Sequence, residues 1–348
     1  MKKTTKISKF WGGRRSAREN ANKYSLRATY CRGWGNSHFI LLLLLFLPGI
    51  AHGHITIHCD VNQTIIPCDP AGSKSVDEVV SHNLAKKVHG FWYPGQKEPI
   101  TYYEYIYDYK YGKDRKDKLS KKLKIKDLGA VVDHLYEVNH PQKWSIKEKF
   151  YLSKDRLKKA KTLVLPAFYE MVNFLEIQNI SYSLVLRSFG SDLDRVKKEI
   201  ESMTRIRFLD SGHFENGVLY MDSGRVISSP LEMTEMFKKG HFSLQDNYAE
   251  WNAHDESGPY GKKLPLDGSM TFFFDDHIST DPTSPHNIVA PMDAYTNVPL
   301  DPFALVDTGV LVPVNVVDVI LDTGYFVKKI RSCCDKQRQH LQALRASL

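Results

Sequence analysis

The strongest constraint on this chain is a recurring unit, a compact apolar strand that ends on polar residues and gives way to a helical stretch. Ile55-Thr56-Ile57-His58-Cys59 stops at Asp60. Tyr182-Ser183-Leu184-Val185-Leu186 runs into Arg187-Ser188-Phe189-Gly190-Ser191-Asp192, and Thr271-Phe272-Phe273-Phe274 closes on Asp275-Asp276. Short apolar runs bounded by such clusters suit strands buried on both faces. Alternated with helices, they predict an open parallel α/β sheet whose ligands sit at the strands' carboxyl ends.

The helical stretches carry their own punctuation. Ser75-Val76-Asp77-Glu78 is a capping box ahead of Val79, Val80, Leu84 and Val88. Ser153 to Gln178 reads as one long amphipathic helix with Leu157, Val164, Leu165, Phe168, Val172 and Leu175 on one side. Further helices are predicted over Asp194–Met203, Ser229–Lys239 and from about Val314 to the end. Between His213 and Ile227, Asn216-Gly217 marks a hairpin. From about Gly90 to Trp144 the composition shifts: tyrosines cluster at 102, 103, 105, 107, 109 and 111, followed by a Lys-rich run from Lys110 to Lys126. That run reads as a solvated helix face or loop, or as a patch that meets an anionic substrate or partner. No internal repeat is present.

Charge is unevenly spread. The 348 residues hold 48 Lys and Arg against 40 Asp and Glu, a formal +8. Residues 1–54 contain ten basic side chains and one acid, Glu19, which leaves 38 basic and 39 acidic residues in the rest. The body is therefore neutral, and a nucleic-acid partner is not expected. The basic lead is followed by an apolar run from Phe39 to Leu47 and then Pro48-Gly49-Ile50-Ala51. Such a run falls within the ~7–15 residues of a signal-peptide core and short of the ~20 needed to span a bilayer. Residues 1–53 thus read as a leader to the secretory pathway or exterior, with an organelle-targeting bipartite leader or an uncleaved signal anchor as alternatives. Once it is cleaved, no membrane span is expected. Cys31 lies in the leader, and Cys59, Cys68, Cys333 and Cys334 lack metal-ligand spacing. Cys59 and Cys68 read as buried free thiols, or as a bridge in an oxidising compartment.

The chemistry-bearing residues fall at the strand ends. Asp60-Val61-Asn62-Gln63-Thr64 follows the first strand, Ser188 a later one, and Lys262 precedes Asp275-Asp276. Carboxylates hold a hard cation through oxygen, a metal and a lysine together neutralise phosphate, and a carboxylate can attack phosphorus.

In this order the chain resembles the haloacid dehalogenase-like (HAD) hydrolase superfamily over about 295 residues. The first motif, DxDx[TV], looks like Asp60–Thr64, with Ser188 as the second-motif hydroxyl, Lys262 (Lys263 as alternate) as the third-motif lysine, and Asp275 and Asp276 as the fourth-motif acids. The resemblance implies a Rossmann-like core, residues 54–74 and 150–348, with a largely helical cap, residues 75–149, inserted between the first two motifs. The 127 residues between Asp60 and Ser188 leave room for it. It implies hydrolysis of a small phosphorylated or other anionic substrate, a phosphate ester or phosphoanhydride, with Mg²⁺ as cofactor. Asp60 would form an aspartyl-phosphate. Asp60, the backbone carbonyl of Asn62, and Asp275 or Asp276 would hold the metal, and Ser188 and Lys262 the phosphate. Asp69-Pro70-Ala71-Gly72-Ser73-Lys74 looks like the turn that follows the first motif.

One residue departs from that pattern. The family's phosphatases carry an acid/base Asp two residues after the nucleophile, and this chain has Asn62. An amide gives up no titratable proton, a loss of ~10²–10⁴ in rate. A slow hydrolase, an enzyme for good leaving groups, and a non-catalytic protein binding an anionic ligand or protein partner all fit. Asn62-Gln63-Thr64 and Asn179-Ile180-Ser181 are also glycosylation sequons, of which Asn179 is the better acceptor. His213, His241, His254, His277 and His286 are scattered and read as solvated or structural.

Overall fold

The computed structural model describes residues 53–68, 75–112, 117–282 and 287–347. The basic leader, the Asp69–Lys74 turn and His286 lie outside the described residues.

The three buried-type runs form adjacent strands. These are β1 (Ile55–Asp60), β4 (Tyr182–Ser188) and β10 (Thr271–Asp275), numbered after the short pair β2 (His89–Gly90) and β3 (Ile100–Thr101). Also in the large sheet are β5 (Phe208–Glu215), β6 (Val218–Met221), β7 (Val226–Ile227), β8 (His241–Gln245) and β12 (Leu311–Pro313). The eight strands run in the order β12-β10-β1-β4-β8-β5-β6-β7, parallel from β12 to β5 and antiparallel through the β6–β7 extension. β9 (Lys262–Leu266) and β11 (Val289–Asp293) pair in a separate parallel ribbon. The chain is thus an α/β protein with a mostly parallel, Rossmann-like sheet. It leaves β1 outward to β4 and β8, then returns to lay β10 on the other side of β1. That reversal opens a crevice at the carboxyl ends of β1 and β10, where open α/β sheets bind ligands.

Helices cover both faces. Val185, Phe242 and Leu244 pack under Met233, Met236 and Phe237 of the helix Pro230–Phe237. Buried His58 stacks on Phe273 at 5.4 Å and meets Phe237 edge-on at 5.2 Å, and burial together with Arg187 holds its imidazole well below the usual pKa. On the opposite face Phe274 meets Phe326 edge-on at 5.2 Å.

Between β1 and β4 the chain is mainly helical. The helices are α1 (Val76–Ala85), α2 (Lys118–Gly129), α3 (Val131–Glu137), α4 (Lys143–Lys159) and α5 (Pro166–Ile177), with a π-helical turn at Tyr105–Lys110. Both capping-box bonds at the start of α1 are present, Glu78 N–H to Ser75 Oγ at 3.2 Å and Ser75 N–H to Glu78 Oε2 at 2.7 Å. The helix read over Ser153–Gln178 is instead two, α4 and α5, broken ahead of Pro166. Proline pushes its predecessor out of the helical region, and Leu165 is extended (φ −64, ψ 141) with Pro166 starting α5. The stretch after Val314 is likewise two helices, α6 (Val316–Leu321) and α7 (Tyr325–Ser347). They are parted where the Asp322 carboxylate accepts the Gly324 N–H at 3.0 Å. Asn216 (φ 49) and Gly217 (φ 77) make the expected hairpin turn. Cys59, Cys333 and Cys334 are buried thiols and Cys68 is half-buried, and no disulfide joins Cys59 to Cys68. Among the described residues no helix is long and apolar enough to cross a membrane.

Arg187, at the end of β4, is among the largest fully buried side chains. Its guanidinium forms a two-pronged ion pair with Asp246, donates to the Lys263 carbonyl at 3.0 Å, and lies over the Phe214 ring at 4.8 Å. It therefore ties β4 and the end of β8 to the strand that carries Lys262. Removing one partner of a buried pair strands the other charge, at about 3–5 kcal/mol. We expect Asp246→Ala to lose about that much stability in urea unfolding. Asp155→Ala, which breaks a solvated pair with Lys159, should leave the midpoint unchanged.

Candidate functional site

Strand register assembles the site. Cys59 lies opposite Phe274, so Asp60 and Asp275 end neighbouring parallel strands side by side. Neighbouring strands lie about 4.8 Å apart, so two carboxylates at this spacing repel one another. Lys262, the first residue of β9, answers that repulsion: its Nζ lies 2.5 Å from Asp60 Oδ1 and 2.7 Å from Asp275 Oδ2. All three side chains are buried, with Lys262 at 1% exposure.

The electrostatics follow from this packing. Burial pushes the Asp60 carboxyl up to about 8, aided by Asp275 and Asp276 and opposed by Lys262. Burial alone would lower the Lys262 ammonium, but Asp275, Asp60 and Asp246 outweigh it and raise its pKa. Burial also works to raise Asp276, but His277, Lys86 and Lys262 prevail and hold it at about 2. Asp276 meets the His277 imidazole at 2.9 Å through Oδ1. Its Oδ2 is buried without a hydrogen-bond partner, with the Lys86 ammonium 3.8 Å away.

Ser188 sits one residue beyond the level of Asp60. Its Oγ accepts the Gly190 N–H at 2.9 Å and the Asn62 amide at 3.4 Å. Asn62 Oδ1 is left without a partner. Thr64 follows Gln63, which is in the left-handed region (φ 57). It is fully buried, and its Oγ1 has no hydrogen-bond partner, so it is joined by hydrogen bond to none of the other site residues.

The structure therefore brings Asp60, Lys262 and Asp275 into direct contact, with Asn62 and Ser188 joined beside them and Asp276 following Asp275. Lys263, the alternate lysine, turns away to the Pro259 carbonyl at 2.7 Å. Two residues here were not read as site residues from sequence. His277 joins Asp275 and Asp276 in a group whose potential ligand atoms lie within 4.8 Å of one another, so it is not merely scattered. Its adjacency to the acid pair was the available signal. Lys86 comes from the end of α1, and nothing local in the sequence marks it. Of the remaining histidines, His213 stacks on Tyr220, His254 stacks on Tyr260, and His241 accepts the Leu184 N–H. Asn179 is exposed, whereas Asn62 is half-buried in the site.

No protein-family description, curated protein or solved structure matches the chain.

The approach of β9 to β11 sets where Lys262 begins. The Lys262 N–H donates to the Ile288 carbonyl at 2.6 Å, and a Cβ on Gly261 would collide with that carbonyl and the Val289 amide. Glycine is required by this backbone contact. Gly261→Ala should cost about 1–3 kcal/mol in chemical unfolding, by overpacking. Gly129→Ala, at the end of α2 with open space around it and no left-handed φ, serves as the control and should be neutral or slightly stabilising.

Proposed function

We propose that this chain is a HAD-like hydrolase that cleaves a small phosphate ester or phosphoanhydride by way of an aspartyl-phosphate on Asp60. The observation that carries the reading is the convergence of Asp60, Lys262 and Asp275 at the reversal point of the sheet. It supports a nucleophile, a phosphate-neutralising lysine and an acid at one place, in the order the motifs require.

The donor set fits Mg²⁺. Asp60, Asp275 and Asp276 are three buried acids around one buried lysine, and Asp276 keeps an oxygen without a hydrogen bond. Hard oxygen donors with an excess of negative charge suit a small divalent cation. Asp60, the Asn62 backbone carbonyl, and Asp275 or Asp276 would hold it. When bound, it would offset charge on the phosphoryl oxygens.

The chain's own residues divide the work. Lys262 works against burial to keep Asp60 ionised, fixes one of its oxygens and leaves the other to attack phosphorus. An O–P bond forms at Asp60 as the ester P–O bond breaks, and that electron pair departs on the leaving oxygen. Water then attacks the same phosphorus, the Asp60 O–P bond breaks, and the carboxylate returns as phosphate and a proton leave. Asn62 cannot protonate the leaving oxygen, so solvent supplies that proton and substrates with good leaving groups react best. In this reading the Ser188 hydroxyl, which accepts the Gly190 N–H, bonds a phosphate oxygen. Residues 75–149 act as the cap in this reading, supported by the reach of Lys86 to Asp276.

Phosphate release from 4-nitrophenyl phosphate with Mg²⁺ tests this. Asp60→Asn should abolish it, chelation should abolish it reversibly, and Asn62→Asp should raise it by about 10²–10⁴. Wild type and Asn62→Asp both inert, with Mg²⁺-dependent thermal stabilisation by phosphate intact, would favour the non-catalytic anion-binding reading instead.

A further inference from the structure

Beside the acid cluster lies an aromatic stack that the mechanism does not use. Tyr103 and Tyr107 are both half-buried and stacked with centroids 4.5 Å apart at 16°. The Lys124 ammonium stands 4.7 Å from the Tyr107 centroid. At the other end, the Lys86 ammonium stands 5.7 Å from the Tyr103 centroid while also lying 3.8 Å from Asp276 Oδ2. A single lysine therefore joins the stack to the proposed phosphate site. The Tyr103 phenol is held well above its usual pKa chiefly by burial, then by Tyr107, Asp108 and Asp276, consistent with a ring within electrostatic reach of the acids.

Several features suit this arrangement to a ligand. Ordinary core aromatics are enclosed, whereas Tyr103 and Tyr107 keep some solvent access. The contact between Lys86 and Tyr103 is loose, and Lys86 remains 31% exposed. An ammonium between a carboxylate and a π-face can turn toward an arriving anion, and a planar ring gains about as much from the vacated face as the cation did.

We propose that the substrate carries an aromatic ring on its leaving group, and that this ring stacks on Tyr103 while Lys86 turns onto the phosphate. The proposal rests on the phosphate-site reading and adds the substrate class, an aromatic phosphate ester. A planar ring is preferred over a saturated one of equal bulk because stacking, unlike burial, requires a π-system. The Tyr107 ring backs Tyr103 and keeps its plane fixed.

Calorimetric titration of the full chain in Mg²⁺ with benzylphosphonate and with cyclohexylmethylphosphonate isolates this, since neither ligand can be hydrolysed. Benzylphosphonate should bind about tenfold tighter. Tyr103→Phe should keep that ratio, and Tyr103→Leu should bring it to about one, whereas binding of inorganic phosphate should be the same in all three proteins. A second pair, adenosine 5′-monophosphate against ribose 5-phosphate, separates a nucleobase from a simple aryl group. Preference for the aromatic member of either pair supports the platform. Equal affinity within both pairs, or no binding of any aromatic ligand, overturns it. Hydrolysis of 4-nitrophenyl phosphate, whose leaving group needs no proton, is followed in parallel: ring preference without turnover would defeat the hydrolase reading and leave the platform standing. Turnover without ring preference would do the reverse.

Discussion

The lysine shared by Asp60 and Asp275 is the contact on which the rest of the site depends. Two parallel strands in this register set two acids side by side, and burial makes their repulsion costly. Lys262 offsets it through contacts to both, and β9 has to be held against β11 for the ammonium to reach. Arg187 anchors the same strand through the Lys263 carbonyl and is itself neutralised by Asp246. A second buried ion pair thus supports the first, and both stand at the same edge of the sheet. In the proposed reading, geometry for binding a charged ligand and geometry for folding are the same set of contacts.

That coupling explains the pattern of charge in the site. Asp60 is pushed up and Asp276 held down, although both are buried carboxyls a short distance apart. The difference lies in their partners: Asp276 has His277 and Lys86 near it, whereas Asp60 faces other acids and has Lys262 alone. Environments that separate the titration of neighbouring acids are characteristic of functional sites, though structural ion pairs produce them too. Asn62, where the proposed reading expects an acid, donates its amide to Ser188.

Much of this was legible in the sequence, and the parts that were not share a cause. Ile55–Asp60, Tyr182–Ser188 and Thr271–Asp275 were readable because strands buried on both faces are short, apolar and abruptly ended. Asp60, Asn62, Ser188 and Asp275 were readable because each stands at or near such an end, and Lys262 only through its place in the order of the motifs. The β9–β11 ribbon was not, since Lys262-Lys263-Leu264-Pro265-Leu266 pairs with a distant segment that also contains proline and lacks a strand signature. The break before Pro166 was hidden by apolar Val164 and Leu165, which continue the helical spacing straight across it. Lys86, which links Asp276 to Tyr103, gains meaning only when separate elements meet, which local pattern cannot show.

The central claim is that Asp60 attacks phosphorus. It is tested most directly by quenching turnover of an activated aryl phosphate in acid and mapping covalent phosphate by mass spectrometry. The account predicts a phosphate-mass addition on Asp60 that hydroxylamine removes, as an acyl phosphate requires. Phosphate released with no addition on Asp60, or with the addition on another residue, would contradict it.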